Sequence, residues 1–96
     1  MKAEFHPDAA QELAAAVQMY ESSLTGLGAD LRVEVMRITS LLCGTPRIGE
    51  PLDQRHRRFP LRRFPYGLVF RLDGELLRII AVAHRRQRPG YWSKRA

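Results

Sequence analysis

Arginine is the residue type on which most chemistry in this chain must rest. Fourteen of the sixteen basic residues are arginine, and the formal net charge is +6. The charge is unevenly placed. Residues 1–53 hold four basic and eight acidic side chains, whereas residues 54–96 hold twelve basic side chains against Asp73 and Glu75. A guanidinium presents a planar fork of donors to phosphate or carboxylate, where an ammonium presents a point charge. The C-terminal half is therefore suited to an anion: RNA, DNA or an acidic protein segment. The stretch 57–92 carries most of this charge and every candidate catalytic side chain. Within it, Arg71 and Arg78 fall among apolar residues on one strand face, where solvated decoration is less natural.

Other chemistries find no support in residue type and spacing. Cys43 is the only cysteine, so no intrachain disulfide forms; it ends an apolar helical pattern and reads as a buried small residue. His6 and His56 have no Cys or carboxylate at the usual ligand spacing, so no metal site is expected. No cofactor is expected either. Glu12, Glu21 and Glu34 read as helix surface, because no two acids are placed for paired-carboxylate work. There is no apolar run long enough to span a bilayer and no signal-peptide pattern, so a cytoplasmic protein without membrane contact is expected.

The elements that must position the arginines follow from patterning. Asp73-Gly74 between two apolar runs is a strong two-residue hairpin signal. Taken as the loop, it pairs Leu72 with Glu75, Phe70 with Leu77, Leu68 with Ile79 and Tyr66 with Ala81. Side chains alternate across a strand. One face is then Tyr66, Leu68, Phe70, Leu77, Ile79, Ala81 and Ala83, a core face. The other mixes Val69, Arg71, Leu76, Arg78, Ile80, Val82 and His84, and is expected to lie open to a partner. Upstream, residues 2–6 read as a short strand. Pro7 then opens a helix over 8–23, with His6 as cap and Leu13, Val17, Tyr20 and Leu24 at helical spacing. Thr25-Gly26-Leu27-Gly28 is a stop and a tight connection. A second helix runs Leu27, Leu31, Val35, Ile38, Leu42 and ends at Cys43-Gly44. Residues 44–56 read as a surface loop and 57–64 as a strand interrupted by Pro60. Tyr91-Trp92 either fold back on the sheet or begin a last turn. The order β-αα-βββ predicts a single α+β domain over 1–96, a helical hairpin packed on one face of a small antiparallel sheet.

FHPDAAQELAAAVQMYE, GLGADLRVEV and above all RRFPYGLVFRLDGELLRIIAVAHRRQRPGYW, in that order and at this length, resemble toxins of the RelE/ParE superfamily of bacterial type II toxin–antitoxin systems. The resemblance covers essentially the whole chain. It implies a toxin neutralised by a small acidic antitoxin, and it leaves two targets open. RelE-like members are ribosome-dependent endoribonucleases that cut mRNA. For that branch the resemblance puts Arg85 and Tyr91 at the catalytic positions, His84 as an alternative base, and Arg58, Arg62 and Arg63 where cations hold the scissile phosphate. Departures from that branch are Gly67 at a further arginine position, no equivalent of its paired lysines, and the break at Pro89-Gly90. ParE-like members inhibit DNA gyrase, and RRFPYGLVFR with a strand ending Val-Ala-His resembles them closely, so this branch is slightly favoured. There Arg85, Arg86 and Trp92 are expected to meet the target, with Tyr91 packing. The antitoxin is expected on Arg71, Arg78, Val69, Ile80, Val82 and Tyr20. Alternatively, His84 is a hydrogen-bonded partner of nearby backbone, Trp92 a lid over the core edge and Tyr20 a core or interface residue.

Overall fold

A computed structural model describes residues 1–96. Strand β1 (Lys2–Phe5) leads into helix α1 (Pro7–Ser23), then helix α2 (Leu27–Gly44), a 3₁₀ turn (Pro46–Ile48), and strands β2 (Glu50–Pro51), β3 (His56–Pro60), β4 (Tyr66–Asp73) and β5 (Leu76–His84). The sheet order is β1-β5-β4-β3-β2. The α+β architecture expected from the sequence is present, with two refinements. β1 pairs with β5 in parallel, from Lys2 opposite Leu76 to Phe5 opposite Ile79, so the sheet is mixed. The expected loop 44–56 contains the 3₁₀ turn and the short β2, which adds a fifth strand. No helix is long and apolar enough to cross a membrane.

The helices form where the pattern places them. His6 caps α1, its Nδ1 accepting the Asp8 N–H at 3.0 Å, and Pro7 occupies the first turn, where its missing N–H costs nothing. Ala9, Leu13 and Ala16 are buried on α1; Leu31, Val35, Ile38 and Leu42 are buried on α2. The connection is closed by Glu21, whose carboxylate accepts the N–H of Gly26 at 2.8 Å and of Gly28 at 3.0 Å. These are orphan donors at the start of α2, and a carboxylate there also meets the positive end of the helix dipole.

The hairpin differs from its expected register by one residue. Asp73 pairs with Leu76, Leu72 with Leu77 and Arg71 with Arg78, so the loop is Gly74-Glu75 rather than Asp73-Gly74. Gly74 has φ +64° and Glu75 has a negative φ. A positive φ at the first loop position alone belongs to a Gly-X turn, not to the Asp-Gly turn with both residues positive. A β-bulge then restores pairing. Phe70 faces Ile79 and Val69 faces Ala81, leaving Ile80 as the extra residue. The bulge swaps the faces beyond it. Val82 turns to the helices and packs with Leu68, Phe70, Leu77 and Ile79. Ala81 and Ala83 turn away and join Val69 and Ile80 in a second cluster. The expected pairs Phe70–Leu77, Leu68–Ile79 and Tyr66–Ala81 are thus corrected, as are the faces of Val82, Ala81 and Ala83.

The second cluster is the larger correction. The mixed face is not open. Residues 85–96 fold back across it, and Trp92, 7% exposed, packs on Val69, Ile80, Ala81 and Ala83 with Tyr91 beside it. Fold-back of Tyr91-Trp92 was one of the two expected outcomes.

Candidate functional site

Two features sit on the tail side of the sheet: a latch that holds the tail, and a cleft that the tail helps to wall. The latch is centred on Glu12, the only charged residue between Asp8 and Glu21 on α1. Its carboxylate accepts the Val82 N–H at 3.0 Å, the Tyr91 hydroxyl at 2.8 Å, and Arg95 through Nη1 at 3.0 Å and Nη2 at 2.7 Å. Arg95 also donates to the Ile80 carbonyl at 2.9 Å and lies over the Tyr91 ring. β1 covers β5 only as far as Ile79. Glu12 and Arg95 therefore satisfy the next edge groups of β5 where β1 runs out, which blunts an otherwise open edge. Burial alone would raise the Glu12 carboxyl, but the donors from Arg95, Tyr91 and Val82 outweigh it and hold it below its usual value. Burial, with the Glu12 carboxylate beside it, pushes the Tyr91 hydroxyl well above its usual value.

The cleft has a volume of about 580 Å³ and opens between β3, the end of β5 and the tail. Val69, Ala83 and Trp92 form an apolar floor, and Arg58, His84, Arg85 and Arg88 line it with donors. Arg58 lies across Gly67: a Cβ there would sit 2.5 Å from the Arg58 Cζ and 2.7 Å from its Nε and Nη2. The missing side chain at Gly67 is thus the space in which this guanidinium rests. His84 Nδ1 accepts the Arg86 N–H at 3.1 Å, which leaves Nε2 as the protonated nitrogen of the neutral ring, and the ring stands edge-on to Tyr66 at 5.1 Å. The one acid in the lining, Asp53, is already occupied. It accepts the N–H groups of Arg55 and His56 and the His56 ring at 3.0 Å, and the backbone donor of Arg55 leads the causes that lower its pKa. His56 has Asp53 beside it; it is buried, and its ring lies 4.7 Å from that of Trp92, tilted by 47°.

The residues singled out in the sequence are thus distributed over several places. Arg58, His84, Arg85 and the Tyr91 ring line the cleft. Arg62 and Arg63 do not. Their backbone N–H groups are bound by Glu34, at 2.5 Å and 3.4 Å, and the Arg63 side chain pairs with Asp30, so both arginines belong to the α2 side. Arg86 is exposed, whereas Trp92 is buried and meets the cleft only as floor. Arg71 and Arg78 stand opposite each other on the tail side, not under the helices. Neither is open: Arg71 is buried against Asp73 and the main-chain oxygen of Ala96, and Arg78 bonds Glu4 at 2.6 Å. Val69 and Ile80 lie beneath Trp92. Val82 and Tyr20 are on the helix side, Tyr20 edge-on to Phe64 and Tyr66. The six residues expected to meet an antitoxin therefore share no single open surface. Glu12 and Glu34, expected on helix surfaces, are tied to β5 and the tail and to the 61–65 turn.

A family model described as ParE toxin of type II toxin-antitoxin system, parDE, matches residues 3–89. No curated protein matches the chain. Among solved structures, a chain of the "Chromosomal ParDE TA system from P. aeruginosa" superposes with a TM-score of 0.64 at 18% identity, over 88% of this chain and 95% of that one. At that identity the likeness shows a shared fold.

Proposed function

Because the chain belongs to the ParE toxin family of type II toxin–antitoxin systems, we propose that it arrests growth by inhibiting DNA gyrase and is neutralised by a small acidic antitoxin. The observation that carries this reading is the state of Tyr91. An RNA-cutting site needs a mobile proton near the leaving oxygen. Here the Tyr91 hydroxyl is committed to Glu12, and its proton is held more tightly than in a free tyrosine. Arg62 and Arg63, the other cations such a site would recruit, are anchored toward α2. What remains at the cleft is a set of fixed cations, which suits docking on an anionic target or an acidic antitoxin segment better than proton transfer.

A supercoiling assay with purified gyrase tests the proposal: inhibition at micromolar protein is expected, and its absence there counts against it. Arg58, His84 and Arg85 do meet at one cleft, and that favours the message-cleaving alternative. Primer extension on translated messages decides between them. Cuts that disappear in Arg85→Ala would move the assignment to the nuclease branch. Co-expression with the product of an adjacent gene for a small acidic protein should relieve the growth arrest.

A further inference from the structure

We propose that the outer edge of β1 docks a second copy of this chain, antiparallel about a two-fold axis at Ala3, so that two five-stranded sheets run on as one. The inference goes beyond the gyrase reading and does not depend on it.

Three observations lead there. First, β1 is the edge of the sheet left open. At the other end of the strand order stands β2, two residues long and ending in Pro51, which has no N–H to offer. The part of β5 that runs on past β1 is closed by Glu12 and Arg95. β1 has no such cover: Lys2, Ala3 and Glu4 are all exposed. Its outward groups follow from the alternation of the strand. His6 donates its N–H to the Ile79 carbonyl at 2.8 Å. Glu4 and Lys2 therefore also turn their main-chain groups to β5, and Ala3 and Phe5 turn theirs outward. A second Ala3 across the two-fold axis would exchange two main-chain hydrogen bonds with the first.

Second, the side chains are self-complementary. Pairing centred on Ala3 sets Lys2 of each copy opposite Glu4 of the other. Lys2 has no acidic partner within the chain. Arg78 takes Glu4 Oε1 at 2.6 Å, which holds the carboxylate in place and leaves Oε2 without a donor. Third, the charges select this register and this occupant. Centring the pair on Lys2 or on Glu4 would set like charges opposite each other, at a cost. An acidic segment would meet one cation and one carboxylate here, with no net attraction, whereas a second copy answers both. Such a contact is isologous, the same patch on each subunit. Pro7 ends the strand soon after Phe5, so the contact is short and the dimer weak.

The test is sedimentation equilibrium of the full chain with no residues added before Met1. A reversible monomer–dimer equilibrium is expected, with half-association at roughly 10–500 μM for so small a contact. Lys2→Glu turns two opposite-charge pairs into two like-charge pairs and should weaken association about tenfold. Glu4→Lys should do the same. An equimolar mixture of the two variants should recover wild-type affinity, because each strand then meets the opposite sign at both positions. Ala3→Pro removes the outward donor but no N–H turned to β5, and should abolish the dimer with little change in melting temperature. Glu4→Lys also gives up the Arg78 pair; Lys2→Glu and Ala3→Pro do not. The proposal is overturned if the chain stays monomeric throughout that range. It is overturned if Lys2→Glu and Ala3→Pro both dimerise like the wild type, which would move the contact to another surface, such as the exposed Val33 and Met36 of α2. It is also overturned if native hydrogen exchange shows the Ala3 and Phe5 N–H groups protected only when an antitoxin is bound, since the edge would then belong to that partner. Gyrase inhibition by a strictly monomeric chain removes this inference and leaves the gyrase reading. A dimer that spares gyrase does the reverse.

Discussion

Replacing Glu12 by alanine should release the tail. The carboxylate is the common acceptor for Val82, Tyr91 and Arg95. The Val82 N–H and the Tyr91 hydroxyl, both left facing a void, are each worth on the order of 1 kcal/mol. The Arg95 pair joins side chains 15% and 24% exposed, at 2.7 Å. It is a charge-assisted pair partly screened by water, and contributes about 1–2 kcal/mol. The sum is about 3–4 kcal/mol, a large share of the roughly 5–15 kcal/mol that holds a domain of this size. At about 4 °C or more per kcal/mol, the melting temperature should fall by about 15 °C. Trp92 provides the local readout. Its emission should move to the red, and acrylamide should quench it more readily under native conditions, before the far-ultraviolet circular dichroism changes. Glu12→Gln keeps the shape and one acceptor and should cost about half as much. The pH dependence has a definite sign. Glu12 is held below its ordinary value of 4.5 in the folded state. Its contribution is therefore present above that value and lost as the pH falls through the depressed one. The gap between wild type and Glu12→Gln should close in acid. A loss under 1 kcal/mol for Glu12→Ala, with Trp92 quenching unchanged, would refute the latch.

Tyr91 is raised above its usual pKa of 10.0, so its protonated form stabilises the fold below that value and the benefit is lost as the pH climbs beyond it. Ultraviolet titration should show Tyr91 ionising only as the chain unfolds, whereas early ionisation would show that its hydroxyl is free. Trp92→Ala empties the second cluster and should cost about 3–5 kcal/mol in urea denaturation. Glu34→Ala strands the N–H groups of Arg62 and Arg63; about 2 kcal/mol of stability should go in urea denaturation. Arg71→Ala leaves Asp73 without its inner partner and should cost about 2 kcal/mol, a stability loss separable from any change in antitoxin affinity.

Much of the fold was legible because it is local. The apolar spacing marks both helices to within two residues, and Pro7 with His6 marks where the first begins. The hairpin was legible as a hairpin but not in register. Asp-Gly and Gly-Glu loops differ by one residue, and which forms depends on where the strands pair, not on the loop alone. The bulge at Ile80 was invisible for a related reason. An unbroken run Leu76–Ala83 has no punctuation to say which residue is extra, yet the extra residue decides whether Val82 faces the helices. Glu12 and Glu34 were misread because periodicity places a residue on a helix face without naming its distant partner. A signal existed for Glu12: one acid, beside the buried Leu13 and Ala16, in a stretch from Ala9 to Tyr20 with no other charge. The cleft was half legible. The cationic half of the chain was plain, and so was its fitness for an anion. That Arg58 would lie over Gly67, or that the tail would roof the mixed face, depends on contacts between segments with no shared pattern.

The parallel pairing of Lys2–Phe5 with Leu76–Ile79 joins two segments far apart in the sequence. β4 and β5 meet across a two-residue loop and can associate within microseconds, whereas β1 must close a loop spanning most of the sequence. Assembly should therefore run outward from the hairpin, with the N-terminal strand docking late. During synthesis Lys2–Phe5 must wait, unpartnered, until Leu76–Ile79 have followed. A chain interrupted before Leu76 would have two helices and no sheet strand on which the first five residues could settle, and so no way to complete the domain.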